Sequence, residues 1–391
     1  MTFTATDCQS FAGGFSLAVV KAGFHLVAKR EYPGGFGSPA MEGNRHLLGN
    51  NWQLQAGDPA TWTPMQSDLV FGNPPCSGFS NRSVMVRGTL DDGTFGNLNF
   101  RGSDSKINEC MWSLIEYAAE CDPKIVIFES VQGAFRKGHD LMRDLHAFLE
   151  EITGKQWNHY NILHNVKDLG GAQVRPRYFW VASCIPFGID PVFHPEVTVR
   201  DRIGDLEHVE LGSIEGHNIS DTPRARRIAE LVSKTQWYEG ETSGHAYERA
   251  LSQDVILDLW DQPLVSDKGT TQFAPKRLAY NAPSRVLAGD APTTAVHPTL
   301  PRTLTHREIA RLTGFPDEWQ CAPYEEKLNN GAWWGKGITV EAGSWIAKAA
   351  FDAISGKPQA YQGKQIKERE FVITASNPDS LDEDVPLFNL S

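Results

Sequence analysis

In the stretch GNPPCSGFS, residues 72–80, a cysteine directly follows two prolines and precedes small residues. The prolines stiffen the approach to Cys76, while Ser77 and Gly78 leave room above the thiol. An exposed, deprotonated thiolate in such a turn is a nucleophile suited to covalent catalysis. The opposing reading is a small cysteine packed in the interior, the commoner state of a lone Cys. A second group lies at QVRPR, where Arg175 and Arg177 alternate around Pro176 and so point to one side of an extended backbone. A third is the Gly13–Gly14 turn, with Asp7 ending the apolar run before it and Glu31 ending the run after it.

The elements that must position these residues alternate. TFTATDC, HLVAKREY, SDLVFG, KIVIFES, NHYNILHNV and RYFWVASC read as strands. GGFSLAVVKAGF reads as a glycine turn opening a helix, and NECMWSLIEYAAECDP as an amphipathic helix stopped by Pro123. Such alternation predicts an α/β fold with a mostly parallel sheet and helices on both faces. Ligands of such sheets bind beyond the carboxyl ends of the strands, where Asp7, Glu31, Pro74 to Cys76 and Glu129 fall. From 207 to 300 the pattern breaks into short pieces rich in Pro, Ser, Thr and Gly, read as a small domain or large insertion. It resumes at THREIARLTGF, where Thr305 and Glu308 form a capping box, and at the helix GSWIAKAAFDAIS. The boundaries are a large unit over 1–206 continued at 301–356, an inserted unit over 207–300, and an acidic, Pro-containing tail over 357–391 expected to be mobile.

The chain of 391 residues is long enough to bury a large core. No apolar run reaches bilayer length and no signal peptide is read at Met1, so a membrane is not an expected partner. Six cysteines without a C-x-x-C pair suggest neither zinc nor a disulfide framework, which fits a reducing cytoplasm and no metal. A net charge of −11 argues against affinity built on blanketing phosphates with Lys and Arg. It leaves room for a local basic cleft.

Six stretches, in order, resemble the blocks of the cytosine-C5 DNA methyltransferases: DCQSFAGGFSLAVVKAGF, PPCSGFS, FESV, QVRPRYFWVA, RTLTHREIARLTGFPDEW and GKGITVEAGSWIA. TVRDRIGDL also resembles the segment that follows the Gln-x-Arg-x-Arg block. The resemblance runs from about residue 4 to 350 and implies a Rossmann-like methyltransferase fold, with residues 207–300 as the target recognition domain. It implies that the Cys76 thiolate adds to C6 of a cytosine flipped out of double-stranded DNA, activating C5. Glu129 would then donate to N3 with a pKa raised by burial, Arg177 would reach O2, and Arg175 would steady the site near Glu129. Gln173, Ser80 and Arg82 would contact the substrate, with the Gly-rich segment from Ser77 to about Ser105 closing over the flipped nucleotide. S-adenosylmethionine is the implied cofactor. Asp7, Phe11, Gly13, Gly14 and Pro74 would line it, Glu31 would hold its ribose, Tyr32 would pack on the adenine, and Asp58 would meet the adenine amino group. The implied setting is a monomer in the cytoplasm of a bacterium or phage-infected cell, serving restriction or phage DNA modification.

The chain departs from the family pattern at several cofactor-side positions. Gln9 stands where a stacking Phe is usual, and Phe11 where the first Gly is usual. Ser130 replaces the Asn of Glu-Asn-Val, and Lys336, in GKGI, replaces the Asn of Gly-Asn-Ala-Val. Lys336 could pair with a carboxylate on the donor, as in carboxy-S-adenosylmethionine, which would yield 5-carboxymethylcytosine; drift with Lys336 in solvent is the plainer reading. Rival functions are an RNA cytosine methyltransferase on the same scaffold, an amino-methyltransferase of the Asn-Pro-Pro-aromatic type, and a DNA-binding module without catalysis. In the inserted region the basic helix RARRIAELVSK and Lys276, Arg277 and Arg285 are candidates to read guanines or touch phosphates.

Overall fold

A computed structural model describes residues 2–31, 41–56, 61–75, 78–79, 87–89, 95–97, 103, 108–260, 274–321, 335 and 337–376. Its centre is a nine-stranded sheet of β1 (Thr4–Cys8), β2 (His25–Glu31), β3 (Gln53–Ala56), β4 (Leu69–Gly72), β5 (Ile125–Ser130), β6 (Asn158–Asn165), β7 (Pro176–Ser183), β8 (Lys364–Lys367) and β9 (Glu370–Thr374). The order across the sheet is β8-β9-β6-β7-β5-β4-β1-β2-β3. Neighbours run parallel, except that β7 is antiparallel to both β5 and β6, and β8 to β9. All six expected strands are present.

Strand β5 shows how the sequence builds two cores. Its period of two sends Ile125 and Ile127 to one face and Val126 and Phe128 to the other. On the first face pack α1 (Gly14–Lys21), α6 (His306–Leu312) and α7 (Val340–Ile354). On the second pack α2 (Glu109–Glu120) and α3 (His139–Thr153), whose Leu141, Met142, Leu145 and Leu149 recur at helical spacing. There Phe128 stacks on Trp180 at 4.9 Å. Asp7, Lys29, Glu129 and Arg177 share the first face with Ile125 and Ile127, by strand register and alternation. The capping box at the start of α6 forms as expected, with Thr305 and Glu308 each bonding the other's backbone N–H.

The inserted segment builds a compact core of its own around α4 (Pro223–Lys234) and α5 (Ser243–Ser252), from Ile228, Leu231, Trp237, Ala246, Ala250 and Trp260. Its later part returns to the large unit. Leu278, Leu287, Ala291 and Ala295 join the first core, and Ser284–Arg285 pairs with the short strand Gln173–Val174.

Three expectations change. The segment after residue 357 is not a free end through residue 376. EFVIT enters the sheet beside β6, where Phe371 stacks on Tyr160 at 5.0 Å and Ile373 is fully buried. The consecutive apolar residues Phe371, Val372 and Ile373 supply a strand signal that outweighs the charge around them. The remaining residues, 377–391, lie outside the described ones. Arg277 and Arg285 are not free to read bases. Arg277 donates to the carbonyls of Pro298 and Trp237, and Arg285 to those of Ala274 and Thr294. On the basic helix, Arg226 pairs with Asp221, and Lys234 with Glu230 and Asp258. No helix among the described residues is long and apolar enough to cross a membrane.

Candidate active site

The carboxyl ends of β4 and β5 meet the beginning of β7, and there the charged groups converge. Glu129 is 2% exposed; its Oε2 accepts from Asn73 Nδ2 at 2.5 Å, and its Oε1 lies 3.1 Å from Arg177 Nε. Burial raises the Glu129 pKa, while Arg177, Arg175 and Asn73 pull the other way. Oε1 makes no hydrogen bond among the described residues, so one buried carboxyl oxygen has capacity to spare. Asn73 was not singled out from the sequence. Its side chain also donates to the Glu129 carbonyl at 3.2 Å, and its backbone N–H to the Gln9 carbonyl at 2.8 Å. The clue was its place before Pro-Pro at a strand end, the same level at which Glu129 ends a neighbouring strand.

Cys76, Ser80 and Arg82 lie outside the described residues, but the chain on each side of Cys76 is placed. Asn73 anchors it to Glu129, and Pro74 is buried. Phe79 anchors it beyond, packed so tightly on Gly133 and Gly138 that a Cβ at either would lie about 2.5 Å from its carbonyl oxygen or ring. The two glycines lie four and nine positions after Glu129, so the described residues on either side of Cys76 are held by Glu129 and by the short helix that follows it. Among the described thiols, burial pushes Cys8 up to about 11 and Cys121 to about 12, which keeps them protonated.

The Gln-x-Arg-x-Arg block divides its labour differently from expectation. It is Arg177 that touches Glu129. Arg175, buried, donates to the carbonyls of Leu287, Gly335 and Gly337 at 3.1, 3.0 and 2.8 Å, and its charge also acts on Glu129. Gln173 was expected to contact substrate. Instead its amide donates to Leu312 O at 2.8 Å and accepts from Leu287 N at 3.2 Å, so both ends are spent on bridging segments distant in sequence. His164, opposite Arg177 on β6, stacks on Phe179 at 4.7 Å, and neither ring nitrogen has a hydrogen bond among the described residues. Burial, then Arg177 and Arg175, push its pKa down to about 3, so the ring is neutral.

The cofactor-side residues line the carboxyl ends of β1 and β2. Asp7 is buried and accepts from the hydroxyls of Ser10 and Ser16, while its Oδ1 has no hydrogen bond among the described residues. Lys29, on β2 between Asp7 and Glu31, has a fully buried side chain with Nζ 3.5 Å from Asp7 Oδ2 and 3.4 Å from Glu31 Oε2. The turn between β1 and α1 is strained. Gln9 at φ 68° and Phe11 at φ 48° hold left-handed conformations that favour glycine. Phe11 therefore occupies a glycine-like backbone position, consistent with the family pattern it departs from. Gly13 (φ 87°) is required on the protein side: a Cβ there would lie 2.8 Å from the Trp319 ring. At Gly14 it would lie 2.5 Å from the Ile338 carbonyl. Gly337 lies against Ser10 and Phe11, with its would-be Cβ 3.5–3.6 Å from them. Tyr32, Asp58 and Lys336 lie outside the described residues. No cluster of three metal-ligating side chains occurs among the described ones.

A doubly covered, mostly parallel sheet with acidic and basic side chains at the carboxyl ends of its strands is the architecture in which open α/β sheets bind their ligands. The sequence settles the family: residues 3–352 match the C-5 cytosine-specific DNA methylase family, and the chain belongs to it. It is a DNA cytosine-C5 methyltransferase, dependent on S-adenosylmethionine as that family is. It is similar to the type II methyltransferase M.NgoPII of Neisseria gonorrhoeae, with 25% identity over 80% of this chain and 84% of the relative. It is also similar to M.MthTI of Methanothermobacter thermautotrophicus, with 24% identity over 88% and 96%. Among solved structures, an Escherichia coli prophage-encoded chain described as a DNA modification methyltransferase superposes with a TM-score of 0.60 at 17% identity, over 90% of this chain and all of the other. That likeness bears on the fold.

Proposed function

We propose that the enzyme extracts a cytosine from duplex DNA and attacks its C6 with Cys76 while Glu129 holds N3 and the 4-amino group. The observation that carries this reading is the buried carboxyl of Glu129, gripped by Asn73 and Arg177 and with Oε1 free of hydrogen bonds among the described residues, with Asn73 before Cys76 bonded to it and Phe79 after Cys76 packed on Gly133 and Gly138. Three residues from Asn73 limit the Cys76 Cα to within about 11 Å of it. The thiolate forms a C6–S bond, and the displaced ring electrons build up toward N3, where Glu129 delivers its proton. Arg177 offsets the charge that develops at O2. C5, now electron-rich, would take the carbon as its bond to the donor sulfur breaks; the C5 proton then leaves to a base, the C6–S bond breaks to return the thiolate, and N3 gives its proton back to Glu129.

S-adenosylmethionine, when bound, supplies the electrophilic methyl carbon. The residues present fit that cofactor, since Asp7 Oδ1, Gln9 Oε1, Lys29 Nζ and Glu31 Oε2 are buried polar atoms without a hydrogen bond among the described residues. Glu31 would hold the ribose, Asp7 and Phe11 the adjoining wall, and Tyr32 and Asp58 the adenine. Residues 1–206 with 301–356 act as the catalytic unit and 207–300 as the recognition unit, in a monomer on duplex DNA. Ser80 and Arg82 belong to the loop over the flipped base.

Mass analysis of nucleosides from DNA and from folded RNA exposed to the enzyme tests the reaction and the polymer together. Covalent capture on DNA containing 5-fluorocytosine should occur with the wild type, fail with Cys76→Ala, and slow by about 100-fold or more with Glu129→Gln. Capture by Cys76→Ala, or modification of RNA alone, would refute the reading. A second reading concerns the donor. Arg175 grips the carbonyls of Gly335 and Gly337, and Gly337 borders the Ser10–Phe11 turn, which supports a cofactor-side role for this part of the chain. A carboxylated donor would leave 5-carboxymethylcytosine in the same digest. Only 5-methylcytosine from both donors, unchanged by Lys336→Asn, would exclude it.

A further inference from the structure

The Lys29 side chain is fully buried, an expensive place for an ammonium, and no hydrogen bond among the described residues satisfies Nζ. Two carboxylates flank it at 3.4 and 3.5 Å, on Glu31 and Asp7. Burial alone would depress its pKa, but Asp7 and Glu31 more than offset that, and the side chain stays charged. The strand places it deliberately. Lys29 and Glu31 are two residues apart on β2 and so share a face, and Lys29 is the register partner of Asp7 on β1. The trio therefore runs from the Asp7 site, tied to α1 through Ser16, out to the Glu31 carboxylate at the strand end. A carboxylate that must present oxygens to two neighbouring hydroxyls gains from being fixed before the ligand arrives.

We propose that Lys29 is a positioning residue for the nucleoside donor: it pins the Glu31 carboxylate in the orientation that receives the ribose 2′ and 3′ hydroxyls. This rests on the reading of Glu31 as the ribose ligand. Lys29 acts through Glu31 and touches no reacting atom. A plain structural ion pair joining β1 to β2 would stabilise the fold without distinguishing ligands.

The test is calorimetric binding of S-adenosylhomocysteine, and of its analogue lacking both ribose hydroxyls, to wild type, Lys29→Met, Glu31→Gln and the double variant. Glu31→Gln and Lys29→Met should each weaken S-adenosylhomocysteine by about tenfold or more, and the double variant should bind no more weakly than Glu31→Gln alone. The hydroxyl-free analogue should bind all four proteins within about threefold. Lys29→Gln, of similar length and still polar, enters the same cycle if Lys29→Met does not fold. An intact Glu31→Gln effect with Lys29→Met at wild-type affinity would overturn the inference alone, as would additive losses. Wild-type affinity in Glu31→Gln would overturn the reading of Glu31, and the inference with it.

Discussion

Arg175→Met separates folding from chemistry in the Gln-x-Arg-x-Arg block. The guanidinium is 1% exposed and donates to three carbonyls, Leu287 O at 3.1 Å, Gly335 O at 3.0 Å and Gly337 O at 2.8 Å. Methionine fills a comparable volume but leaves those carbonyls without these donors, at about 1–3 kcal/mol each if they stay buried. Relief of the cost of burying a cation returns part of that, so the net loss should be about 3–5 kcal/mol. A chain of this length unfolds with an entropy of about 0.8 kcal/mol/K, which turns the loss into a fall of about 4–6 °C in the thermal midpoint. Arg175→Lys should recover little, because a single ammonium cannot span carbonyls from two separate segments. Arg177→Met is the contrast. Its guanidinium makes one ion pair to Glu129, whose burial already favours the protonated form, so the midpoint should move by less than about 2 °C while capture on 5-fluorocytosine DNA collapses. Differential scanning calorimetry on the three variants reads the outcome. An Arg175→Met midpoint within about 1 °C of wild type would refute the bridging role, and equal shifts for Arg175→Met and Arg177→Met would refute the division of labour.

Acid should unfold the protein through its buried neutral histidines. His164 and His297 have pKa values pushed down, mainly by burial, to about 3 and about 4, and His159 is lowered as well. The unfolded chain takes up protons below about pH 6.5 and the folded chain does not, so this stability is complete above that pH and is lost as pH falls, by about 1.3 kcal/mol per ring from pH 7 to 5.5. His164→Phe, stacked on Phe179, should remove one share of the slope in urea midpoints measured at the two pH values; an unchanged slope would count against burial as the cause. Gly13→Ala meets both a left-handed backbone and the Trp319 ring, and should lower stability by about 2 kcal/mol and weaken S-adenosylhomocysteine binding; a midpoint equal to wild type would contradict the tight turn. Gly138→Val drives into the Phe79 ring and should slow capture by Cys76 without abolishing it, measured on 5-fluorocytosine DNA; an unchanged rate would mean that Phe79 does not anchor the loop.

The elements of the large unit were legible because each strand of the sheet's middle carries its own signal, as KIVIFES does with apolar residues on both faces. Glu129 was legible for the same reason, as the first charge after such a run. What sequence could not supply was the destination of a polar side chain. Gln173 sits in a block that suggests substrate contact, yet its partners, Leu312 and Leu287, lie 139 and 114 positions away. Asn73 and Lys29 were visible as residue types; their importance depends on β4 lying beside β5, and β1 beside β2. The end of the chain was misjudged because composition was weighed over the whole segment, whereas a short apolar run, Phe371 to Ile373, decides whether a strand can be added. Arg277 and Arg285 were judged as free cations, and the carbonyls that occupy them come from turns no local pattern announces.

That added strand fixes when the enzyme can finish folding. Asn161 of β6 and Glu370 of β9 bond across 209 positions of sequence, and Glu370 is also clasped by His139 and Arg143 on α3. Until β9 arrives, β6 offers an eight-residue unpaired flank whose side chains are almost all destined for the interior, the kind of surface on which unfinished chains adhere to one another. Once it arrives, the outermost position passes to Lys364–Lys367, four residues with a lysine at each end, a poor template for further pairing. Removing the last two strands should thus show itself as insolubility during synthesis, before any deficit in catalysis could be measured.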